Sequence, residues 1–127
     1  MKQIFSVIVW CIAVVAAPSH MEGAGIPDVQ TAQQLHELAK GKGLPLLVEF
    51  YSPWCHPCRS LDNKREEWAR MLQGRMQLCR VNITVARSLM RAYNITSTPT
   101  LLHLNLRCRE IQRKVGNVDI VQYIESL

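Results

Sequence analysis

The sequence predicts an α/β domain in which a central sheet, mixed or parallel, is flanked by helices. The first observation is the almost continuously apolar run over residues 44–51, which has the length of a strand and the composition of one covered on both faces. The second is the alternation of short strand-like runs with helical periodicity along the rest of the chain. With 127 residues and 48% hydrophobic composition, the chain can bury one core and is too short for two.

The N-terminal segment differs in composition from the rest of the chain. Lys2 precedes a charge-free apolar run over 4–17, which is the pattern of a secretory signal. We expect residues 1–19 to be a signal peptide, 20–27 a linker and 28–127 the domain, with the cleavage site left open. An uncleaved membrane anchor is the alternative, although the run has 14 residues and about 20 are needed to span a bilayer. Export would place the domain in the periplasm or outside the cell, where disulfides persist.

The first half of the domain is predicted to contain a brief edge strand over 26–30, a helix, the apolar strand and a second helix. The first helix begins at Thr31, because Thr31 and Gln34 have the spacing of a capping box, and it ends at Gly41 and Gly43. The second helix covers 56–73. Its apolar residues are expected to face the sheet: Leu61, Trp68, Met71 and Leu72.

The second half is predicted to alternate strands and helices up to a last amphipathic helix. In chain order these elements are a strand over 76–83, a helix over 84–93, a strand over 101–104, a returning antiparallel strand over 109–115 and a helix over 119–127. The inward-facing residues of the two helices are expected to be Val85, Leu89, Met90, Ile120, Val121, Ile124 and Leu127. Gly116 separates the last strand from the last helix.

Two cysteines, Cys55 and Cys58, follow the apolar strand at the predicted junction with a helix. A spacing of two intervening residues brings the two sulfurs within bonding reach, so that the pair can close and reopen a disulfide. Unpaired backbone N–H groups and the dipole at a helix start lower the pKa of a thiol placed there. The sequence therefore predicts a reversible two-electron switch with Cys55 as the nucleophile.

The remaining cysteines are not part of this pair. Cys11 lies within the expected signal and should leave with it. Cys79 is predicted to be a small buried hydrophobe, whereas Cys108, near a strand turn, is predicted to be more exposed and able to form a mixed disulfide. The close cysteine spacing of a small disulfide-rich scaffold is missing, and the core is apolar instead.

The formal net charge of +5 comes from 15 basic and 10 acidic residues that are scattered along the chain. Arg65, Glu66, Glu67 and Arg70 mix both signs on one predicted helix, which is typical of a solvated face. Because the chain has no basic tract and no recognition motif, we expect no nucleic-acid partner.

Several separate segments together resemble the thioredoxin family. Residues 48–58, Val-Glu-Phe-Tyr-Ser-Pro-Trp-Cys-His-Pro-Cys, resemble the active-site strand and loop of that family, and residues 97–100, Ser-Thr-Pro-Thr, resemble its cis-proline loop. Residues 80–83 resemble its central strand, and residues 114–116 resemble the glycine before its last helix. The resemblance covers about residues 28–127 and implies a thioredoxin-like fold, with a central mixed sheet flanked by helices.

The resemblance also implies roles for residues of the redox site. Cys55 corresponds to the nucleophile that forms a mixed disulfide with a client protein, and Cys58 to the resolving thiol that releases it. Glu49 stands where the family usually has a buried aspartate that relays a proton to the resolving cysteine, with an exposed edge-strand acid as the alternative. Arg80 stands where a lysine often accompanies that acid, and would be a fixed counter-charge.

A second group of residues is implied to contact the client: Trp54, His56, Pro57, Thr98 and Pro99. A cis bond before Pro99 would turn the Thr98 backbone toward an extended client strand, whereas a trans proline that opens a strand is the alternative. His56 replaces a glycine that is common in the family. When protonated, it would stabilise a Cys55 thiolate and make the protein a better oxidant; the alternative is an exposed histidine of little effect.

Two further expectations follow from the resemblance. Asn63 occupies the position of a proline that kinks the family's active-site helix, so this helix is expected to run straighter. Cys79 and Cys108 are expected on strands that lie on opposite sides of the sheet, and they are not expected to pair.

The sequence therefore predicts a protein thiol–disulfide oxidoreductase whose direction, reduction or oxidation, is left open. Its expected partners are protein thiols and disulfides and a membrane or soluble redox partner. We expect a monomer with no metal and no cofactor other than the Cys55–Cys58 disulfide.

Two other classes of function are the alternatives. One is a noncatalytic binding domain that uses the Thr98–Pro99 groove alone. The other is a metal- or haem-handling module that would draw on Cys55, Cys58, His56 and His103. A second close ligand pair for a metal is missing, and haem attachment would need a histidine directly after Cys58, where Arg59 stands.

Overall fold

The structure is a computed structural model, and it describes residues 25–127. The expected signal over 1–19 and most of the expected linker lie outside the described residues. Within 25–127, no helix has the length and apolar character that crossing a membrane requires.

Helices and strands alternate around one sheet. In chain order they are α1 (Ala32–Lys42), β1 (Leu46–Tyr51), α2 (His56–Arg59), α3 (Arg65–Leu72), β2 (Gln77–Asn82), α4 (Arg87–Ala92), β3 (Thr100–Leu104), β4 (Glu110–Val115) and α5 (Asn117–Glu125). The four-stranded sheet has the order β2-β1-β3-β4. Strand β1 is parallel to β2 and antiparallel to β3, and β3 is antiparallel to β4. The predicted fold class, a mixed sheet flanked by helices, is confirmed.

Strand β1 lies inside the sheet and is covered on both faces, as its apolar sequence predicts. Leu46, Val48 and Phe50 point into the core cluster on the side of α1 and α4. Leu47 points into the second cluster, which contains residues of α3 and α5. Because side chains alternate along a strand, Glu49 falls on the same face as Leu47. An acid is thus placed in an otherwise apolar layer.

Helix α1 begins and ends as predicted. The Thr31 hydroxyl accepts a hydrogen bond from the Gln34 N–H at 3.2 Å, and the Gln34 side-chain oxygen accepts one from the Thr31 N–H at 3.3 Å, which completes the capping box. Gly43 ends the helix in the left-handed conformation, with φ of 62°. Gly41 lies within the helix, so only Gly43 terminates it.

The single helix predicted over 56–73 is wrong in its middle, because turns over 60–64 separate α2 from α3. In these turns the N–H groups of Ser60, Leu61 and Asp62 donate to carbonyls three residues earlier instead of four. The Ser60 hydroxyl also donates to the Pro57 carbonyl at 2.7 Å, which competes with helical hydrogen bonding. The expectation that Asn63 gives a straighter helix is therefore wrong.

Other predicted features shift at element boundaries. The edge strand expected over 26–30 is reduced to one bridge, between Asp28 and Arg80. Val85 is exposed instead of buried, because α4 begins only at Arg87 and helical periodicity does not apply before it. Met71 is also exposed, since the buried positions of α3 are Arg65, Trp68 and Leu72.

The exposure predicted for Cys108 is wrong. Its side chain is buried, with 6% exposed, because the turn between β3 and β4 folds inward and the Cys108 N–H donates to the Asn105 carbonyl at 2.9 Å. Cys79 lies on β2 and Cys108 lies in the turn before β4, and these two strands are at opposite edges of the sheet, although both side chains belong to one core cluster. Both cysteines are free thiols.

A pH dependence of stability is expected from His103 on β3. Its Nδ1 lies 2.7 Å from the Tyr123 hydroxyl of α5, and burial lowers the pKa of His103. The unfolded chain then binds a proton more readily than the folded domain. The contribution of His103 to the free energy of unfolding should therefore be complete above the ordinary histidine pKa of about 6.5 and should decrease as the pH falls below it. Thermal unfolding of wild type and His103→Gln should show a smaller acid-side decrease of Tm in the variant. Identical decreases would contradict this assignment.

Candidate redox active site

Four segments meet at one end of the sheet. Phe50 of β1 is paired with Thr100 of β3, and Tyr51 with Asn82 of β2, so the end of β1 lies beside the start of β3 and the end of β2. Thr100 is also paired with Val115, which brings the end of β4 to the same place. The loop that carries the cysteines, the Thr98–Pro99 loop and Gly116 therefore project from one edge.

Cys55 and Cys58 form a disulfide at this edge, with their Cα atoms 5.3 Å apart. Cys55 is the N-cap residue of α2, and its sulfur accepts a hydrogen bond from the Cys58 N–H at 3.2 Å. The same N–H can stabilise a thiolate at Cys55 once the disulfide is reduced. In the disulfide form, 7% of Cys55 and 3% of Cys58 are exposed, so Cys55 is the more accessible of two largely covered residues.

Some residues expected to contact a client are sequence neighbours of the cysteines, and the others precede β3, whose start lies beside the end of β1. Trp54 is 83% exposed, and His56 and Pro57 are exposed at the start of α2. The Thr98–Pro99 bond is cis, as the resemblance implied, with Thr98 half-buried and Pro99 buried. The Pro99 carbonyl accepts a hydrogen bond from the Gly116 N–H at 2.9 Å, which ties this loop to the end of β4.

Glu49 lies on β1, two residues before the end of this strand, and is buried. Because β1 lies between β2 and β3, the alternative of an exposed acid on an outer strand is excluded. The principal partner of Glu49 is Arg65 of α3. Arg65 Nε donates to Oε2 of Glu49 at 2.7 Å, and Nη2 donates to Oε1 at 2.6 Å. Only 3% of the Glu49 side chain and 7% of the Arg65 side chain are exposed, so the two form a buried, bidentate ion pair.

Arg65 also connects this pair to the cysteines. Its Nη2 donates to the backbone carbonyl of Cys58 at 3.1 Å, and its Nη1 donates to Asp62 in the turn before α3. Burial lowers the pKa of Arg65, but the hydrogen bonds and charges of Glu49 and Asp62 outweigh it and raise that pKa above its ordinary value. Arg65 therefore stays charged.

Sequence reasoning missed Arg65, which it assigned to a solvated face. A signal was present, because Leu61, Arg65, Trp68 and Leu72 follow the spacing of one helical face. An arginine in an otherwise apolar stripe, with a lone acid in the preceding apolar strand, indicates a buried ion pair.

Arg80 of β2 is the second cation near Glu49, as the sequence predicted. Its Nε lies 3.6 Å from Oε2 of Glu49 and, although buried, has no hydrogen-bond partner. Its guanidinium lies over the ring of Tyr51, 3.7 Å from the ring centroid. The Tyr51 hydroxyl donates to Asp28 at 2.7 Å, and burial together with this hydrogen bond raises the pKa of Tyr51. Arg80 thus adds charge near Glu49, whereas Arg65 makes the hydrogen bonds.

A sequence model of the family described as Thioredoxin matches residues 27–126, which is nearly all of the described chain. The chain belongs to the thioredoxin family. Cys55 and Cys58 are its Cys-x-x-Cys pair.

Individual thioredoxins are similar over part of their length. The chain is 30% identical over 79 residues to "Probable thioredoxin-2" of Caenorhabditis elegans, a match that covers 62% of this chain and 54% of that protein. It is 39% identical over 62 residues to "Thioredoxin M5, chloroplastic" of Oryza sativa subsp. japonica, with coverage of 49% and 36%. The chain therefore spans about a third to a half of the length of these relatives.

A solved structure supports the thioredoxin fold. The X-ray structure of Fasciola hepatica thioredoxin superimposes with a TM-score of 0.69 at 23% identity, and the match covers 80% of this chain and 98% of that one. At this identity, the likeness concerns the fold.

Cys79 and Cys108 are free thiols in one core cluster, and neither Cys55 nor Cys58 belongs to that cluster. Burial raises the pKa of Cys79 to about 12, and burial also raises that of Cys108. Within residues 25–127, no group of three or more histidine, cysteine, aspartate or glutamate side chains is arranged to hold a metal ion.

Both free thiols are expected to be unreactive in the folded domain. In the reduced protein at about pH 8, iodoacetamide should modify Cys79 at least about 10²-fold more slowly than it does after unfolding in guanidinium chloride, because the thiolate is the reacting species. Cys108 should also be slowed. Peptide mass spectrometry identifies each modified cysteine, and equal rates in the folded and unfolded protein would contradict the burial.

Proposed function

We propose that this thioredoxin-family protein exchanges disulfides with client proteins through Cys55 and Cys58. The observation that carries the proposal is the Cys55–Cys58 disulfide at the sheet edge where the cis Thr98–Pro99 loop also lies. Thioredoxins as a family act on protein thiols and disulfides. The clients, a membrane or soluble redox partner and the direction of exchange are part of this proposal.

The exchange converts the two thiols of the protein and one disulfide of the client into one disulfide of the protein and two thiols of the client. When a client is reduced, the Cys55 thiolate attacks one client sulfur, the client S–S bond breaks, and the departing client thiolate takes up a proton. Cys58 then loses its proton and attacks the Cys55 sulfur, which releases the second client thiol and closes the Cys55–Cys58 disulfide. Two electrons and two protons pass to the client. Oxidation of a client is the same sequence in reverse.

The surface around the disulfide suits an extended client segment. Trp54 offers a large exposed aromatic surface, and Thr98 offers backbone groups before the buried Pro99. Backbone pairing with an extended strand supplies affinity with little dependence on client sequence. We infer that Trp54, His56, Pro57, Thr98 and Pro99 form the client groove.

The redox potential tests the direction of exchange. Equilibration with glutathione should give a value near −270 mV if the protein reduces clients and near −120 mV if it oxidises them. We infer that His56, in the Cys-His-Pro-Cys sequence, shifts the potential toward the oxidising end, since a protonated imidazole stabilises the Cys55 thiolate. A His56→Gly variant should then have a more negative potential, and an unchanged potential would contradict this role of His56.

Trapping tests the clients. In Cys58→Ala, the mixed disulfide on Cys55 has no resolving thiol, so clients should remain attached and be identified by mass spectrometry. The double variant Cys55→Ser/Cys58→Ala is the control and should retain none. Equal recovery from both would favour a noncatalytic binding domain.

We further propose that residues 1–19 direct export of the domain. The support is the charge-free run over 4–17 and the disulfide, which persists in oxidising compartments. N-terminal sequencing of the protein from cell fractions tests this. A mature N-terminus near residue 20 in the periplasm or medium is expected, and full-length protein in the cytoplasm would contradict it.

A further inference from the structure

The loop that carries Thr98 begins where α4 ends. Asn94 follows the helix in the left-handed conformation, with φ of 52°, which turns the chain away from the helix axis. The next residue, Ile95, is buried in the core, and its N–H donates to the Met90 carbonyl at 2.9 Å. The loop over 94–99 therefore leaves α4 in a defined direction before it reaches Thr98.

A side chain of β4, that of Arg113, binds the start of this loop. Its Nη1 donates to the Asn94 carbonyl at 3.1 Å, and its Nη2 donates to the Tyr93 carbonyl at 2.5 Å. Carbonyls at the end of a helix lack helical partners and carry partial negative charge, so a guanidinium is a favourable partner for them. Nε and Nη2 of Arg113 also donate to Oε1 of Glu110, at 3.1 and 2.5 Å, which orients the guanidinium.

Strand β4 thus holds the loop at both of its ends. At the far end, the Gly116 N–H donates to the Pro99 carbonyl at 2.9 Å, and Thr100, the first residue of β3, is paired with Val115. The attachments at the far end are made by the backbone, whereas the one at Arg113 is made by a side chain. Removal of this side chain should therefore release the start of the loop and leave the strand pairing in place.

The hydrogen bonds of the Arg113 side chain reach Glu110 and the start of the loop, and they reach neither cysteine. We propose that Arg113 is a positioning residue for client binding, which fixes the start of the loop to β4 and so holds the Thr98 backbone in place for the client. The proposal rests on the proposed disulfide exchange and deepens it, since it names a residue outside the client groove that sets the shape of the groove. A client that pairs with the Thr98 backbone should depend on Arg113, whereas a small disulfide that contacts only the Cys55 sulfur should not.

The first experiment compares a protein client, insulin, with a small disulfide, hydroxyethyl disulfide. In Arg113→Met, the loop should take its binding conformation for only part of the time, which weakens the apparent affinity for a client in proportion. With dithiothreitol as electron donor, we expect KM for insulin to rise about fivefold or more, while kcat changes by less than about twofold. The rate with hydroxyethyl disulfide and the redox potential of the Cys55–Cys58 pair should match those of wild type.

Two further variants make the comparison specific. Arg113→Lys keeps the positive charge but lacks the planar fork that reaches two carbonyls, so its KM for insulin should lie between those of wild type and Arg113→Met. Arg109→Met removes an exposed arginine directly before β4, and it should behave as wild type.

The second experiment observes the loop directly and needs no client. In native-state hydrogen exchange, the Ile95 amide reports opening at the start of the loop, and the Val48 amide reports opening of the sheet as a whole. In Arg113→Met, the exchange rate of Ile95 should rise about fivefold or more relative to that of Val48. Arg109→Met should leave this ratio unchanged.

Any of three results in folded Arg113→Met would overturn the proposal. The first is a KM for insulin equal to that of wild type. The second is an equal loss of rate with insulin and with hydroxyethyl disulfide, which would indicate damage at the cysteines. The third is an unchanged ratio of the exchange rates of Ile95 and Val48.

If Arg113→Met does not fold, Arg113→Lys decides by the same measurements, and wild-type values of both KM and the exchange ratio would overturn the proposal. A wild type that exchanges no disulfide would contradict the proposed function. The exchange ratio of Ile95 to Val48 would then still test the attachment that Arg113 makes.

Discussion

Replacement of Cys55 by serine is expected to abolish disulfide exchange. Cys55 is the more exposed residue of the disulfide, and its sulfur accepts a hydrogen bond from the N–H of Cys58. Without this sulfur no mixed disulfide can form, because a serine hydroxyl does not attack disulfides at neutral pH. Turnover should fall on the order of 10³-fold or more, in line with the loss of other covalent nucleophiles. Reduction of insulin by the variant, with dithiothreitol as electron donor, measures this.

The chain offers matched controls for this loss. Cys79→Ala and Cys108→Ala remove cysteines that are buried in the core and bonded to no other cysteine. Each should retain wild-type turnover in folded protein. A Cys55→Ser variant that stays active, or a Cys79→Ala variant that loses activity while folded, would place the reactive sulfur elsewhere.

Replacement of Arg65 by methionine should cause a large loss of stability. The substitution leaves Glu49 buried beside Arg80, whose Nε makes no hydrogen bond. Removal of one partner of a buried ion pair costs about 3–5 kcal/mol, because the other charge remains without its counter-charge. Urea unfolding of the disulfide form, followed by circular dichroism, measures the free energy of unfolding. Arg70→Met should change it by less than about 0.5 kcal/mol.

A second substitution separates charge from packing. In Arg65→Met/Glu49→Leu, both charges of the pair are replaced by apolar side chains, and much of the lost stability should return. The double-mutant cycle then gives the coupling between the two residues. If Arg65→Met costs less than about 1 kcal/mol, or if the double variant is no more stable than the single one, the pair does not have the energetic role described here.

The features predicted best from the sequence are those that one local pattern determines. The apolar run over 44–51 gave β1 within two residues at its start, and the Thr31–Gln34 spacing gave the start of α1. The cysteine spacing gave the disulfide, since two intervening residues suffice to bring the sulfurs together.

The features that were missed depend on contacts between distant segments. Arg65 is 16 residues from Glu49, and its burial depends on where α3 packs against the sheet. The break over 60–64 depends on several weak preferences, including the hydrogen bond of the Ser60 hydroxyl, which a helical pattern of apolar residues does not reveal. Cys108 was assigned to an exposed turn, although the conformation of that turn directs it inward.

Strand β1 pairs with β2 along its whole length and with β3 along all but its last residue. A strand with neighbours on both edges loses its amide protection only when the sheet as a whole comes apart. In native-state hydrogen exchange, the amides of Val48 and Phe50 should therefore be among the slowest, whereas those of the loop over 52–55 should exchange through local opening. A pulling force from a client attached to Cys55 would then act on β1, whose backbone is among the last parts of the domain to open.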